Sequence, residues 1–357
     1  MSESKKNEKP YYEDVDIKNN LYLREMLERL PKFCRQFFIA IEPRTSSRTR
    51  LAYAYDLGCF FDYIRKSNPS YKKMEIHDLP IELLDQLSTL DLQEYLFHLK
   101  IYEKDGVAHS NDERGLKRKL SSLRALYNYC FKNDLITNNP AMKIDMPKIH
   151  DKAIVRLDID EMALLLDEVE SGEKLTARQQ KYHERTKVRD LALLTLMLGT
   201  GIRVSECVGL DLTDVDFKNN GIKVHRKGGT EVILYFGDEV RDALLDYIQE
   251  RAAMTPVEGH TNALFLSMQN KRIGVRAVEN LVKKYARLVT TVKNITPHKL
   301  RSSYGTSLYQ ETGDIYLVAD VLGHSDVNTT RKHYAAIEED QRRRAAKVIR
   351  LREEPMK

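Results

Sequence analysis

Apolar residues recur three and four positions apart from Leu21 to Phe38, from Ser47 to Ile64 and from Leu90 to Tyr102, the spacing that gathers them on one face of an α-helix. A fourth helix is expected over Glu113 to Phe131, with Leu116, Leu120, Leu123, Leu126 and Tyr127 on one side and Ser110 or Asn111 available as its N-cap. Lys117, Arg118, Lys119 and Arg124 fall largely off that stripe. The pattern stops at Asn138-Asn139-Pro140, and Pro147 follows without renewed periodicity, so residues 138–155 read as a linker. Residues 1–18 are charged and poor in apolar periodicity, and read as a flexible tail.

A second domain begins near Asp158, whose side chain can cap a helix over Ile159 to Val169. Ser171 to Lys187 is polar, as a loop or an exposed helical insertion would be. Val188 to Leu198 turns almost wholly apolar after Asp190 and stops at Gly199-Thr200-Gly201, with another helix starting close to Arg203. The period then changes from helical to two: Ile222 to Phe236 holds β-type runs on either side of Gly228-Gly229, a pair suited to closing a hairpin. Helices resume over Glu239 to Ala252 and Val278 to Val289 and continue to the C-terminus, with breaks near Pro297, Gly313 and Gly323. The fold class expected is mainly α in two domains, a helical one (19–137) and a mixed α+β one (156–357) with a small antiparallel sheet.

The 357 residues suit two domains, each able to bury its own core. The most apolar run, Leu191 to Leu198, is too short to cross a bilayer, and the N-terminus MSESKKNEKP lacks the apolar core of a secretory signal, so a cytoplasmic protein with no membrane partner is expected. Cys34, Cys59, Cys130 and Cys207 are scattered without CxxC or zinc spacing, which points to reduced, buried thiols and no metal site. Net charge is only +5, but it is uneven: residues 251–300 hold nine Lys/Arg against two Asp/Glu, net +7. Such a block is either an anion-binding face or a solvated helix surface.

Four short segments carry residues able to do chemistry. In Thr296-Pro297-His298-Lys299-Leu300-Arg301, a helix starting after the proline sets His298 and Arg301 on one face, one able to move a proton and the other to grip a phosphate with two donors. In Leu322-Gly323-His324-Ser325, the glycine is a helix C-cap that leaves His324 in a tight turn, and Tyr334 follows ten residues after it. In Gly199-Thr200-Gly201-Ile202-Arg203-Val204-Ser205-Glu206, an arginine emerges at a helix start three residues before an acid. In Arg226-Lys227-Gly228-Gly229, a strand end presents a lysine, without the glycine spacing of a P-loop. Each segment alone is weak, being equally a cap, a surface ion pair or a hairpin lysine.

Together and in this order, GTGIRVSE, RKGG, HKLR, LGHS and the terminal tyrosine resemble the tyrosine recombinases of the phage integrase family. The resemblance covers most of the chain: SSRTRLAYAYDLGCFFDYI and LKRKLSSLRALYNYCFKNDLITNNPA are similar to the family's helical, SAM-like core-binding domain. The polar stretch 171–187 is similar to that of the single-recombinase Xer type. Where the family commonly has a second histidine after the HxxR arginine, this chain has Ser302.

The resemblance implies a site-specific recombinase that cuts and rejoins DNA through a 3′-phosphotyrosyl intermediate, needing neither metal, nucleotide nor other cofactor. Arg203 and Arg301 would clamp the scissile phosphate and His324 would hydrogen-bond it. Tyr334 would be the nucleophile, His298 the proton acceptor, Lys227 the acid for the 5′-hydroxyl, and Glu206 an orienting carboxylate. Arg48, Arg50, Lys117, Arg118 and Arg124 are candidates for phosphate contacts in the core-binding domain. The partner implied is double-stranded DNA with an inverted-repeat core site. A chain free as a monomer or weak oligomer would assemble as a homotetramer on two duplexes, through a C-terminal exchange helix over Ile337 to Leu351. Two rivals share the fold: a catalytically silent DNA-binding accessory protein and a type IB topoisomerase.

Overall fold

A computed structural model describes residues 9–104, 106–150, 155–226, 229–323 and 327. The chain divides into two compact units, one helical over 9–152 and the other from 153 onward.

The helical unit runs α1 (Tyr11–Leu27), α2 (Cys34–Ile41), α3 (Ser47–Ser67), the short α4 (Leu83–Gln86), α5 (Thr89–His98), a hairpin β1 (Ile101–Lys104) and β2 (Val107–Ser110), and α6 (Glu113–Lys132). Its core is aromatic-rich, with Phe37, Phe60, Phe61, Tyr95 and Tyr127 fully enclosed among leucines of α3, α5 and α6. Helix starts follow side-chain caps, since each first turn leaves backbone N–H groups without helical partners: Ser46 accepts from Thr49 N, and Asp112 from Gly115 N. Asp112, rather than Ser110 or Asn111, is the N-cap of α6; the Asn111 amide instead donates to Leu99 O.

Several sequence expectations change here. Residues 11–18, expected in the tail, belong to α1, which docks on α3 through Leu23 and through Asn19 and Asn20. The single helix expected from Leu21 to Phe38 is two, α1 and α2, separated around Leu30-Pro31. The first part of the expected linker is packed: Ala141 and Ile144 are buried in the helical core, and the Arg124 guanidinium donates to the carbonyls of both. The end of the helix expected at Tyr102 is instead the β1–β2 hairpin, with Gly106 at φ +73° before β2.

Lys119 lies off the apolar stripe but is only 2% exposed, its Nζ 3.1 Å from Oδ1 of Asp56, which is 1% exposed. Arg118 closes on the other carboxylate oxygen, so α6 is pinned to α3 by one acid and two cations. Burial holds the Asp56 carboxyl above the usual carboxylate range, an effect that the two cations offset only in part. Replacing Asp56 by alanine strands the buried ammonium, and the expected loss is about 3–5 kcal/mol in urea unfolding. The double variant Asp56→Leu/Lys119→Met, which removes both buried charges, is expected to recover most of that loss; equal losses in both would refute the pairing as its cause.

The second unit runs α7 (Ile159–Ser171), α8 (Ala177–His183), α9 (Lys187–Thr200), α10 (Val204–Cys207), β3 (Val215–Asp216), β4 (Gly221–His225), β5 (Glu231–Tyr235), α11 (Asp238–Ala252), α12 (Val275–Val289), α13 (Pro297–Thr312) and α14 (Ile315–Leu322). The apolar helix α9, buried from Ala192 through Leu198, is central, with α7, α11 and α13 packed around it. The three strands form an antiparallel sheet in the order β3-β4-β5, with His225 opposite Glu231 at the hairpin end. The polar stretch 171–187 includes α8, and it is anchored rather than merely exposed: His183 is 1% exposed with Nε2 2.8 Å from Val169 O, and buried Glu168 accepts from Lys174 N.

Three of the nine cations in the basic block 251–300 are engaged internally. Arg251 is buried and donates to Thr261 O and Ala263 O, Arg272 donates to Val208 O and Leu210 O, and Lys293 bridges Asp158 and Glu161. Cys34, Cys130 and Cys207 are buried thiols, whereas Cys59 is half-buried. Among the described residues, no helix is long and apolar enough to cross a membrane.

Candidate active site

The site is assembled where three helix ends meet. Helix α9 ends at Gly201, whose φ of +62° is a left-handed C-cap that glycine adopts without steric cost. The turn releases Arg203 at the start of α10. There Glu206, 8% exposed, accepts from the Arg203 backbone N–H at 3.0 Å and from its Nη1 at 2.7 Å. One carboxylate therefore both caps the short helix and orients the guanidinium. Helix α13 opens on Pro297, in the first turn where a missing N–H costs nothing, and Arg301 follows one turn later.

Both guanidinium groups turn toward the C-terminal end of α14. Arg203 Nη2 donates to Gly323 O at 3.0 Å and to Leu322 O at 3.3 Å. Arg301, 5% exposed, donates through Nη2 to the same Leu322 O and through Nη1 to Gly201 O. Two arginines far apart in the chain thus share one carbonyl acceptor. The carbonyls ending a helix lack helical partners and carry the negative end of its dipole, so the same donors that satisfy them suit an oxyanion.

Gly201 also sets how closely these elements approach. A Cβ there would run into the Tyr304 ring and the Leu322 side chain. Tyr304 belongs to α13 and Leu322 to α14, so the bare backbone of residue 201 is what allows α9, α13 and α14 to converge.

A third arginine, which sequence reasoning passed over in favour of its neighbour Lys227, joins the group. Arg226 directly follows β4 and donates to Val321 O at 2.6 Å and Asp320 O at 3.3 Å. Partial burial depresses its pKa, with Glu206 opposing and Arg203 adding to that effect. The available signal was the run of two basic residues before the hairpin glycines.

His298 lies exposed at the start of α13, one turn ahead of Arg301. Ser302, the residue after Arg301, turns its hydroxyl back onto His298 O at 3.0 Å. Lys227, His324, Tyr334 and the expected exchange helix over Ile337 to Leu351 lie outside the described residues.

The candidate DNA-contacting residues of the helical unit divide. Arg50 is 3% exposed and donates to Glu42 O, Thr45 O and Asn20 Oδ1, so it is a structural residue that closes the start of α3, not a surface contact. Arg124 is likewise committed, to the carbonyls of Ala141 and Ile144. Arg118 is exposed but held by Asp56. Arg48 and Lys117 remain exposed.

The chain is similar to known proteins in sequence and in fold. A profile described as the phage integrase family matches residues 155–341. The chain is 32% identical over 329 residues to the tyrosine recombinase XerC of Caldanaerobacter subterraneus subsp. tengcongensis, covering 89% of this chain and 86% of that protein. It is 29% identical over 294 residues to the tyrosine recombinase XerD of Staphylococcus epidermidis, covering 82% and 90%. Among solved structures, the XerH site-specific recombinase in a post-cleavage complex with its palindromic difH substrate shares the fold at a TM-score of 0.63 and 20% identity, over 84% of this chain and 80% of that one. The Tn1549 transposon integrase in complex with circular intermediate DNA does so at 0.61 and 21% identity, over 84% and 94%. With a family profile across more than half its length and an Xer relative along nearly all of it, the chain belongs to the phage integrase family, the tyrosine recombinases.

Proposed function

We propose that this protein is a site-specific recombinase that breaks and reseals DNA strands through a covalent tyrosyl intermediate. The observation that carries the reading is the shared acceptor: Arg203 and Arg301 reach Leu322 O from different helices. Their donors converge on one carbonyl oxygen, and in the reading proposed a nonbridging phosphate oxygen takes such donors, two forks stabilising the charge that grows as the phosphorane forms.

In the reaction proposed, the Tyr334 phenolic oxygen attacks the scissile phosphorus and the bond to the 5′-oxygen breaks. The phenol, with an ordinary pKa near 10, gives its proton to His298, and Lys227 gives one to the departing 5′-oxygen. The products are a 3′-phosphotyrosyl link and a free 5′-hydroxyl. Because the phosphodiester is exchanged and not hydrolysed, a 5′-hydroxyl from another strand reverses the step without an external energy source. Glu206, which fixes the Arg203 fork, is assigned an orienting role, and His324 a hydrogen bond to the phosphate.

The partner proposed is duplex DNA with an inverted-repeat core, on which four copies join two duplexes through their C-terminal helices. Arg48 and Lys117 are the helical unit's remaining candidates for phosphate contacts. The test is a nicked duplex whose short 5′-hydroxyl fragment diffuses away after cleavage. Incubation with the protein should leave a DNA–protein adduct stable to denaturation, and peptide mapping should place it on Tyr334. Failure to form any adduct on a cognate inverted repeat would remove the enzymatic reading in favour of a binding protein. Relaxation of supercoiled DNA without a cognate site would favour a topoisomerase.

A further inference from the structure

Arg226 is the first residue beyond β4, its N–H bonded to Thr230 O at 2.8 Å and its carbonyl accepting from Gly229 at 3.1 Å. Its guanidinium does not serve the sheet. It reaches across to the last turn of α14 and takes two successive carbonyls, Asp320 O and Val321 O, directly upstream of the pair taken by Arg203 and Arg301. It also fills the place that a side chain at residue 323 would occupy: a Cβ on Gly323 would overlap Nη1, Cζ and Nε of Arg226. Gly323 is at φ +58°, so the end of α14 is both left-handed and bare where the guanidinium lies. Among the described residues, Nε has no hydrogen-bond partner, so the side chain is held by its two terminal nitrogens and by packing on the glycine.

The next residue along the chain from Arg226 is Lys227. The base of the β4–β5 hairpin is tied through Arg226 to the same helix end that receives Arg203 and Arg301. We propose that Arg226 is a positioning residue, one that fixes the lysine-bearing hairpin relative to the Arg203–Arg301 clamp so that Lys227 can protonate the leaving 5′-oxygen. The inference rests on the reading of Lys227 as that acid. It assigns Arg226 no contact with the reacting atoms.

The experiment compares two leaving groups. In a duplex whose scissile 5′-oxygen is replaced by sulfur, the bond breaks to give a thiolate, whose conjugate acid has a pKa near 8.5, so departure needs no proton donor. On ordinary DNA, Arg226→Ala should slow single-turnover adduct formation by about 10- to 100-fold, the scale on which misplacing a catalytic group acts. On the sulfur substrate its rate should return close to that of the unmodified protein, as should that of Lys227→Ala. Arg226→Lys, which keeps the charge but reaches one carbonyl, should show a smaller defect on oxygen and the same rescue, and it carries the test if the alanine variant does not fold.

A defect of equal size on both substrates, with Lys227→Ala rescued, overturns the positioning role and leaves Lys227 as the acid. Arg226→Ala reacting at the normal rate on oxygen overturns it too. If Lys227→Ala is slow on both substrates, the acid reading fails and the proposal for Arg226 fails with it.

Discussion

Tyr334→Phe will abolish the covalent adduct while leaving binding to the same duplex intact. The substitution removes one oxygen and alters neither charge nor shape appreciably, so the electrostatic attraction to phosphate is unchanged. What disappears is the only atom through which that side chain can bond to phosphorus, and no step of strand exchange can proceed without the bond. The measurement is a denaturing gel of labelled substrate beside a native gel shift of the same mixture. The chain has 19 tyrosines, so an adduct persisting in the variant would move the nucleophile to another of them, and peptide mapping would identify which.

Arg301→Lys will lower the single-turnover rate of cleavage by about 10²- to 10³-fold, the usual scale for losing a preorganised oxyanion donor. Charge is retained, so a loss of this size would show that geometry matters beyond sign. An ammonium is a compact point of charge, whereas the Arg301 fork spans Gly201 O and Leu322 O from a site 5% exposed. Lysine leaves at least one of those carbonyls without its donor, and an accompanying stability loss of about 1–3 kcal/mol is expected in thermal unfolding. A variant that cleaves at the normal rate would remove Arg301 from the clamp.

Helices were the legible part of this chain, because periodicity three and four survives wherever one face is buried. The β1–β2 hairpin escaped because the strand residues described are mostly exposed, with no alternation to betray them; only the Asp105-Gly106 pair in the sequence signals a turn. The order of motifs brought out Arg203, Glu206 and Arg301, which do meet in space. It could not rank basic residues by fate. Arg48 and Arg50 stand two apart at one helix start, yet the first faces water and the second is buried under backbone carbonyls. A charged side chain's partner is settled by tertiary approach, which is why Lys119 and Arg124 also defied a reading from helix faces. Arg226 escaped for the same reason: the pair of basic residues before the hairpin glycines was legible, but not that the first of them would meet the last turn of a helix 94 residues later.

The seam at Gly201 has a consequence for altering the protein. Two constraints coincide there: residue 201 has the left-handed φ of +62° and lends its carbonyl to Arg301, and the Tyr304 ring and Leu322 side chain fill the space where a Cβ would stand. Trimming Tyr304 or Leu322 would open room for a Cβ but would not relieve the backbone strain of a side chain at that φ. Engineering of the protein therefore has to leave the glycine at this junction in place.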